Sequence, residues 1–233
     1  MSNKRQSTVN LERVIGISIF SAFAYVVALV CNIIPEVAGF LSLDAKDAVI
    51  AIASFIYGPI SGVIIALIAA LIEWITFSTT AWYGFIMNFA SSAVFALTAS
   101  LIYKQKRTVN GALIALMSAI LATTGVMLIL NRFVTPLYLT SPISPMGGLP
   151  KEVANEMVLE LLPKVLLPFN FAKSLLNASI AILLYKPVLA ALSKAKIVKT
   201  KSASLSFNKN TKIILAIGSC ALVVAIVIVL IIP

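Results

Sequence analysis

The chain has 233 residues, of which 61% are hydrophobic and 11% charged, with a net charge of +10 and a mean hydropathy of +1.06. A soluble domain is about 45–50% apolar and about 25% charged, so this composition indicates an all-α polytopic integral membrane protein. The chain has no histidine, the commonest metal ligand, and we expect no metal site. The cations lie between apolar runs rather than on one surface, so we expect no nucleic-acid partner.

Hydrophobic runs long enough to cross a lipid bilayer predict the membrane-spanning helices. The first run, Val14–Ile34, follows a polar N-terminus and precedes a loop from Pro35 to Asp47 that holds several charges. The remaining runs lie at 48–76, 82–103, 111–139, 163–192 and 213–232.

The run 48–76 is either one long span or two helices that Gly58-Pro59 separates with a tight turn. Two spans would place most lysines and arginines on one side of the membrane, as the positive-inside rule requires. These cations form three clusters, at 4–13, 104–107 and 186–212. With one span, the second and third clusters would face outward. The charge pattern therefore favours two spans, the first of them short.

The resulting organisation is a six-helix membrane domain over 14–195, preceded by a cytoplasmic N-terminus at 1–13. A basic cytoplasmic linker, 196–212, leads to an additional transmembrane helix at 213–233, which we expect to be an anchor outside the bundle. The outer loop 140–162 includes a short amphipathic pattern, which predicts a lid or an interfacial segment. Its predicted apolar face consists of Val153, Met157 and Leu161.

A polar stripe lies inside the sixth span, where Asn170, Lys173 and Asn177 share one helical face. A lysine at the centre of a membrane helix costs about 2.5–3.5 kcal/mol by the lower estimates, so it requires a partner, a water-filled cavity or a ligand. The stripe is therefore either one wall of a binding site or a set of contacts that join neighbouring helices.

Other polar groups within the spans are expected at a similar depth, on the extracytoplasmic side. They are Asn88 in the fourth helix and Asn131 and Arg132 in the fifth, with Glu73 as the nearest candidate counter-ion for Lys173 or Arg132. No carboxylate is expected in the middle of a span, which argues against a proton-driven carrier.

Asparagine amides and an ammonium suit a polyol or another neutral polar ligand, because amides both donate and accept hydrogen bonds. Aromatic side chains near these groups could pack against a flat ring system or simply face lipid and the core. They are Phe40, Phe89, Phe133, Phe169 and Phe171.

The sequence has no phosphate-binding loop and no recognisable nucleophile–base pair, so it supports no enzymatic activity. The first helix carries two pairs of small residues four positions apart, Ser18/Ala22 and Ala24/Ala28. Such pairs allow another helix to approach closely, either within the bundle or from a partner protein.

Three motifs in order resemble the S components of energy-coupling factor (ECF) vitamin transporters over about residues 10–195. The first two are Phe40-Leu41-Ser42-Leu43-Asp44 and the run Phe55 to Gly62, with sequence FIYGPISG. The third, Asn131 with Asn170-Phe171-x-Lys173, is similar to the riboflavin-specific members. The seventh hydrophobic run departs from the six-helix pattern.

The resemblance implies a protein that captures riboflavin at the extracytoplasmic face of a bacterial plasma membrane, with no cofactor and no chemistry. It implies flavin contacts from Asn131, Asn170 and Lys173, chiefly to the ribityl hydroxyls. Phe40, Leu41 and Leu43 would cover the ring, in a first outer loop that acts as a gate. Asn88 and Asn177 complete the candidate ligand-binding set.

The same resemblance implies partners for uptake. These are a transmembrane coupling protein, which would dock on Ala24 and Ala28, and two ATP-binding subunits. The alternatives are an S component for another vitamin, an autonomous secondary carrier, or a scaffold without a ligand.

Overall fold

Helices make up most of residues 2–194 and 209–232, which are the residues that the computed structural model describes. They are α1 (Ser2–Cys31), α2 (Lys46–Tyr57), α3 (Pro59–Thr76), α4 (Ala81–Gln105), α5 (Val109–Leu139), α6 (Lys151–Leu161), α7 (Leu167–Lys194) and α8 (Lys209–Ile231). A π-helical turn, Leu162–Leu166, joins α6 directly to α7. Within the described residues, six helical segments are long and apolar enough to cross a membrane, which confirms the expected all-α membrane fold.

The break between α2 and α3 occurs at Gly58, which has φ 92° and ψ 171°. Glycine adopts this conformation without the steric cost that a side chain would bring. Pro59 then occupies the first turn of α3. A backbone N–H at this position would have no acceptor within the helix, so proline loses no hydrogen bond there. The run 48–76 is therefore two helices, as the charge pattern predicts.

Helix α2 is the centre of the bundle, since it packs against α1, α3, α4 and α7. Its 12 residues span about 18 Å at 1.5 Å per residue, much less than the hydrocarbon thickness of about 30 Å. Every residue from Lys46 to Phe55 is buried, so its polar ends contact protein rather than lipid. Close packing depends on small residues: a Cβ atom on Gly62 of α3 would lie 2.7 Å from the Ser54 Cβ atom of α2.

The bundle has two different ends. One end, here called the loop end, carries the connections 32–45, 77–80 and 140–150. The opposite end, here called the basic end, carries the α2–α3 turn and the short connection 106–108. A groove there is lined by Arg13, Lys104 and Arg107 together with Tyr57. The two ends therefore differ in charge.

Three helix assignments differ from the sequence predictions. Helix α1 already begins at Ser2, within the segment taken as a polar tail. Helix α2 begins at Lys46, so Lys46 and Asp47 belong to a buried helix and not to the preceding loop. In α6 the buried residues are Ala154 and Val158, while Val153 is 44% exposed, because the helix is rotated relative to the predicted face.

Helix α8 packs along α7 and does not stand apart from the bundle. Ile214 belongs to the main hydrophobic core, and a Cβ atom on Gly218 would lie 2.8 Å from Ile182 Cγ2. The additional transmembrane helix is thus present, but the expectation of a separate anchor is wrong. Most of the predicted linker, residues 196–208, lies outside the described residues, and α8 already includes 209–212.

Candidate functional site

A cavity opens at the loop end between α4, α5, α7 and the loop 32–45. Its empty space, including the part open to solvent, is about 670 Å³. Six of the eight predicted ligand residues line it: Phe40, Leu41, Asn88, Asn131, Asn170 and Lys173. Residues from three helices and one loop, far apart in sequence, therefore meet in one place, as the helical spacing and relative depth predicted.

The three asparagines come from different helices. The side-chain amides of two of them donate hydrogen bonds to backbone carbonyls one turn earlier in the chain. Asn131 Nδ2 donates to the Met127 carbonyl at 2.7 Å, and Thr135 donates to Asn131 Oδ1 at 2.8 Å. Asn170 Nδ2 donates to the Leu166 carbonyl at 2.7 Å. These bonds fix the orientation of the amides before any ligand arrives, which lowers the entropic cost of binding.

Aromatic side chains form the apolar part of the cavity. Tyr138 lies near both Phe40 and Tyr83, with ring centroids 6.1 Å and 5.8 Å away. Phe169 also lines the cavity, whereas Phe133 is 66% exposed on the outside of α5. Tyr138 is not among the predicted site residues, although it lies seven residues after Asn131 and hence on the same face of α5.

Lys173 is the only charged residue among the described residues that line this cavity. Its Nζ atom donates to Asp44 Oδ2 at 2.7 Å and to the Ser42 carbonyl at 3.0 Å. The counter-ion of Lys173 is therefore Asp44, and the expectation of Glu73 is wrong. This pair ties the loop 32–45 to α7 at the wall of the cavity.

Five charged side chains form a buried charge network behind this wall: Asp44, Lys46, Asp47, Glu73 and Lys173. Each residue is at most 8% exposed. Lys46 Nζ lies 2.6 Å from Glu73 Oε2 and 3.5 Å from Asp44 Oδ2. Asp47 Oδ1 accepts a hydrogen bond from Ser92 at 2.5 Å. The three carboxylates are buried, although they lie in the loop before α2, in the first turn of α2 and in the last turn of α3 rather than in the middle of a span.

The network reaches the cavity through Asn88, whose Nδ2 atom donates to Glu73 Oε2 at 3.3 Å. Beside the cavity lies a smaller acidic compartment, with about 450 Å³ of empty space including the part open to solvent, and Asn88 lines both spaces. The other residues of this compartment include Glu36, Asp44 and Glu73. Leu43, a predicted ligand residue, lines the compartment and not the main cavity.

Asn177 and Arg132 lie outside the cavity lining. The fully buried Asn177 accepts a hydrogen bond from Ala48 N at 2.8 Å and donates to the Asp44 carbonyl at 2.9 Å. It thus satisfies a backbone N–H at the start of α2, a structural role that helix termini require. Arg132 NH1 lies 3.4 Å from Asn155 Oδ1 of α6.

The predicted docking residues Ala24 and Ala28 are 0% and 4% exposed. They face the inside of the bundle, where they allow close helix packing. The other small pair, Ser18 and Ala22, lies on the exposed face of α1. The proposed docking role of Ala24 and Ala28 therefore needs correction, because a partner helix cannot reach them in this structure.

Leucine at position 24 is expected to destabilise the bundle by about 1–3 kcal/mol, as overpacking of a filled core does. Leucine at position 22 makes the same chemical change on the exposed face and should leave stability near that of the wild type. Thermal unfolding of both variants in detergent compares them directly. Equal melting temperatures for the two variants would contradict the buried position of Ala24.

Comparison with known proteins identifies the family. The family description "ECF transporter, substrate-specific component" matches residues 12–189, a range that ends before α8. Riboflavin transporter RibU of Staphylococcus aureus (strain TCH60) is 35% identical over 176 residues, 75% of this chain and 89% of that protein. Riboflavin transporter FmnP of Bacillus subtilis (strain 168) is 25% identical over 170 residues, 72% of this chain and 86% of that protein.

A solved S component of a bacterial ECF transporter has the same fold. It superposes with a TM-score of 0.63 at 31% identity, over 78% of this chain and 98% of that chain. The family match covers the helices that build the cavity. The chain therefore belongs to the substrate-specific (S) components of ECF transporters, and it is a multi-pass membrane subunit for vitamin uptake rather than an enzyme.

Proposed function

We propose that this protein captures riboflavin at the extracytoplasmic face of a bacterial plasma membrane and delivers it to the cell with an ECF module. The observation that carries the proposal is the cavity at the loop end. It combines an aromatic wall with the amides of Asn88, Asn131 and Asn170 and the ammonium group of Lys173. The names of the two riboflavin transporters above support the same vitamin.

The two halves of riboflavin match the two kinds of lining. Its flat tricyclic ring suits the space beside Phe40, Tyr83 and Tyr138, because aromatic rings pack favourably in offset or edge-to-face geometry. Its ribityl hydroxyls both donate and accept hydrogen bonds, which suits the asparagine amides.

The distribution of charge supports the proposed orientation. Cations such as Arg13, Lys104 and Arg107 line the basic end, and the positive-inside rule would place that end in the cytoplasm. The N-terminus would then be cytoplasmic, and the cavity at the loop end would open to the outside. Lipid surrounds the exposed apolar faces of the helices.

The loop 32–45 is the proposed gate. Residues 37 and 41 pair through two backbone hydrogen bonds of 3.0 Å, and this small hairpin holds Phe40 and Leu41 against the cavity. The bond from Lys173 to Asp44 anchors the other end of the loop. Opening would require the segment before Asp44 to move while the charge network stays intact.

Uptake would require a transmembrane coupling protein and two ATP-binding subunits. The exposed face of α1, which includes Ser18 and Ala22, is the part of this helix that such a partner could approach closely. This chain alone in liposomes is then expected to bind riboflavin without accumulating it. Accumulation without partners would instead indicate an autonomous carrier.

The direct test is a titration of riboflavin into the purified, ligand-free protein, followed by flavin fluorescence. Packing of the ring against aromatic side chains should quench the emission, with saturation near one equivalent. Thiamine and pyridoxine, added as competitors, are expected to leave the signal unchanged. If the folded protein gives no quenching, or if another vitamin displaces riboflavin, the assignment of riboflavin is wrong.

A further inference from the structure

We infer that the groove at the basic end binds the phosphate headgroup of an anionic phospholipid. Helix α1, the α2–α3 turn and the end of α4 meet around this groove, which has about 770 Å³ of empty space, including the part open to solvent. The groove and the riboflavin cavity share no lining residue and lie at opposite ends of the bundle. The inference therefore goes beyond the proposed binding of riboflavin.

The groove carries a surplus of positive charge. Arg13, Lys104 and Arg107 line it, and no carboxylate does so among the residues that the structure describes. Glu12 of α1 is close enough to interact electrostatically with Tyr57, another lining residue. When all four groups are ionised, the groove still keeps two positive charges in excess. Such an excess attracts an anionic group.

Donors suited to a phosphate surround the groove. Arg13 is held by a hydrogen bond from its Nε atom to Ser61 Oγ at 2.9 Å, which uses one of the five N–H donors of the guanidinium group. Gly58, Pro59 and Ile60 place the first turn of α3 in the same wall. No side chain caps this helix start, so its backbone N–H groups and the positive end of the helix dipole also favour an anion.

An apolar stripe leads from the groove along α3, which distinguishes a lipid from a soluble phosphate. Ile60 lines the groove, and Ile64 and Leu67 follow it at helical spacing. All three side chains are exposed, as is Leu101, one turn before Lys104 on α4. A phospholipid can place its phosphate among the cations and its acyl chains along these side chains. A soluble phosphate would contact only the cations.

The expected position in the membrane agrees with this occupant. The positive-inside rule would place the basic end at the cytoplasmic leaflet, where anionic lipids give the surface a negative potential. Basic pockets between transmembrane helices on that side bind anionic headgroups. A headgroup in the groove would join α1, the α2–α3 turn and α4, and a ligand that binds only the folded bundle stabilises it.

The test adds phosphatidylglycerol, which has one negative charge, to the delipidated protein in detergent and follows the melting temperature. The melting temperature is expected to rise and then saturate, and native mass spectrometry should show one retained lipid molecule. Phosphatidylcholine has no net charge, and glycerol 3-phosphate has a phosphate but no acyl chains. Neither is expected to give this shift at the same concentration.

Lys104→Gln combined with Arg107→Gln is expected to weaken phosphatidylglycerol binding about 30-fold, the effect of two cations at the size usual beside anionic lipids. The matched control combines Lys106→Gln with Lys194→Gln. It removes the same charge from exposed lysines outside the groove lining and should bind the lipid as the wild type does. Exposed charges contribute little to stability, so both double variants should melt near the wild type without lipid.

An equal shift with phosphatidylcholine would overturn the inference, and so would lipid binding that survives in the groove variant. An equal shift with glycerol 3-phosphate would also overturn it, because the groove would then be a site for soluble phosphates. Riboflavin titration reports folding in every variant. A wild type that binds riboflavin but shows no shift with phosphatidylglycerol would refute the lipid site and leave the proposed function intact.

Discussion

Replacing Lys173 by alanine is expected to abolish tight riboflavin binding and to destabilise the protein at the same time. The side chain lines the cavity and also compensates the buried Asp44 carboxylate at 2.7 Å. Loss of one partner of a buried ion pair costs about 3–5 kcal/mol, because the other charge stays buried without compensation. Loss of a hydrogen bond from a charged group to the ligand costs about a further 1.5–3 kcal/mol of affinity. Thermal unfolding in detergent and flavin titration measure the two effects separately.

A double variant separates the two roles of Lys173. Asp44→Asn together with Lys173→Ala removes both charges, so stability should recover in large part while riboflavin binding stays weak. Additivity of the two single effects on stability would contradict the pairing, since partners in direct contact couple in double-mutant cycles. Unchanged affinity in Lys173→Ala alone would remove this residue from the ligand site.

Replacing Lys46 by methionine is expected to be the most destabilising change at a residue outside the cavity. Lys46 is 1% exposed, and its Nζ atom lies between Glu73 Oε2 at 2.6 Å and Asp44 Oδ2 at 3.5 Å. Methionine keeps much of the volume but leaves three buried carboxylates with a single ammonium group. We expect a loss of about 3–5 kcal/mol in the free energy of unfolding, measured as a lower melting temperature.

The matched control for this variant is Lys104→Met in α4, where the lysine is exposed near the basic end. An exposed charge contributes little to stability, typically less than about 1 kcal/mol, so this control should melt close to the wild type. Addition of Glu73→Gln to Lys46→Met should restore part of the lost stability. Equal melting temperatures for the two lysine variants would contradict the role of Lys46 in the network.

The cavity residues could be predicted where polar side chains repeat at helical spacing within one apolar helix. Asn170 and Lys173 lie one turn apart in an apolar helix, and polar groups there are costly unless they face a cavity or each other. Asn177 follows the same spacing, yet it holds the start of α2 and lies outside the cavity lining. Periodicity defines a face of a helix, but that face extends over several turns and can meet different neighbours at each.

The charge network could not be predicted from local sequence. Asp44, Lys46 and Asp47 follow a proline and alternate in charge, a pattern typical of a solvated loop. Lys173 and Glu73, 129 and 27 residues away, compensate the charges of Asp44 and Lys46, and Asp47 accepts a hydrogen bond from Ser92. Nothing in the segment 44–47 itself indicates that such partners exist.

The helix that packs against Ala24 and Ala28 could not be predicted from local sequence either. Two small residues four positions apart indicate that another helix can approach, since their short side chains leave the backbone accessible. They do not indicate which helix does so. In this protein the neighbours are α2 and α3 of the same bundle, and the second small pair of α1, Ser18 and Ala22, is the one left exposed.

The sequence by itself determined that the protein is a helical membrane protein and that Gly58 divides two of its helices. Both properties depend on how each segment interacts with the bilayer or with its own backbone, so short stretches of sequence suffice to predict them. Only the tertiary structure decided that Asp44 pairs with Lys173, that Lys46 is buried and which alanines face inward. Those properties depend on the rotation and depth of each helix relative to its neighbours, which packing of the whole bundle sets.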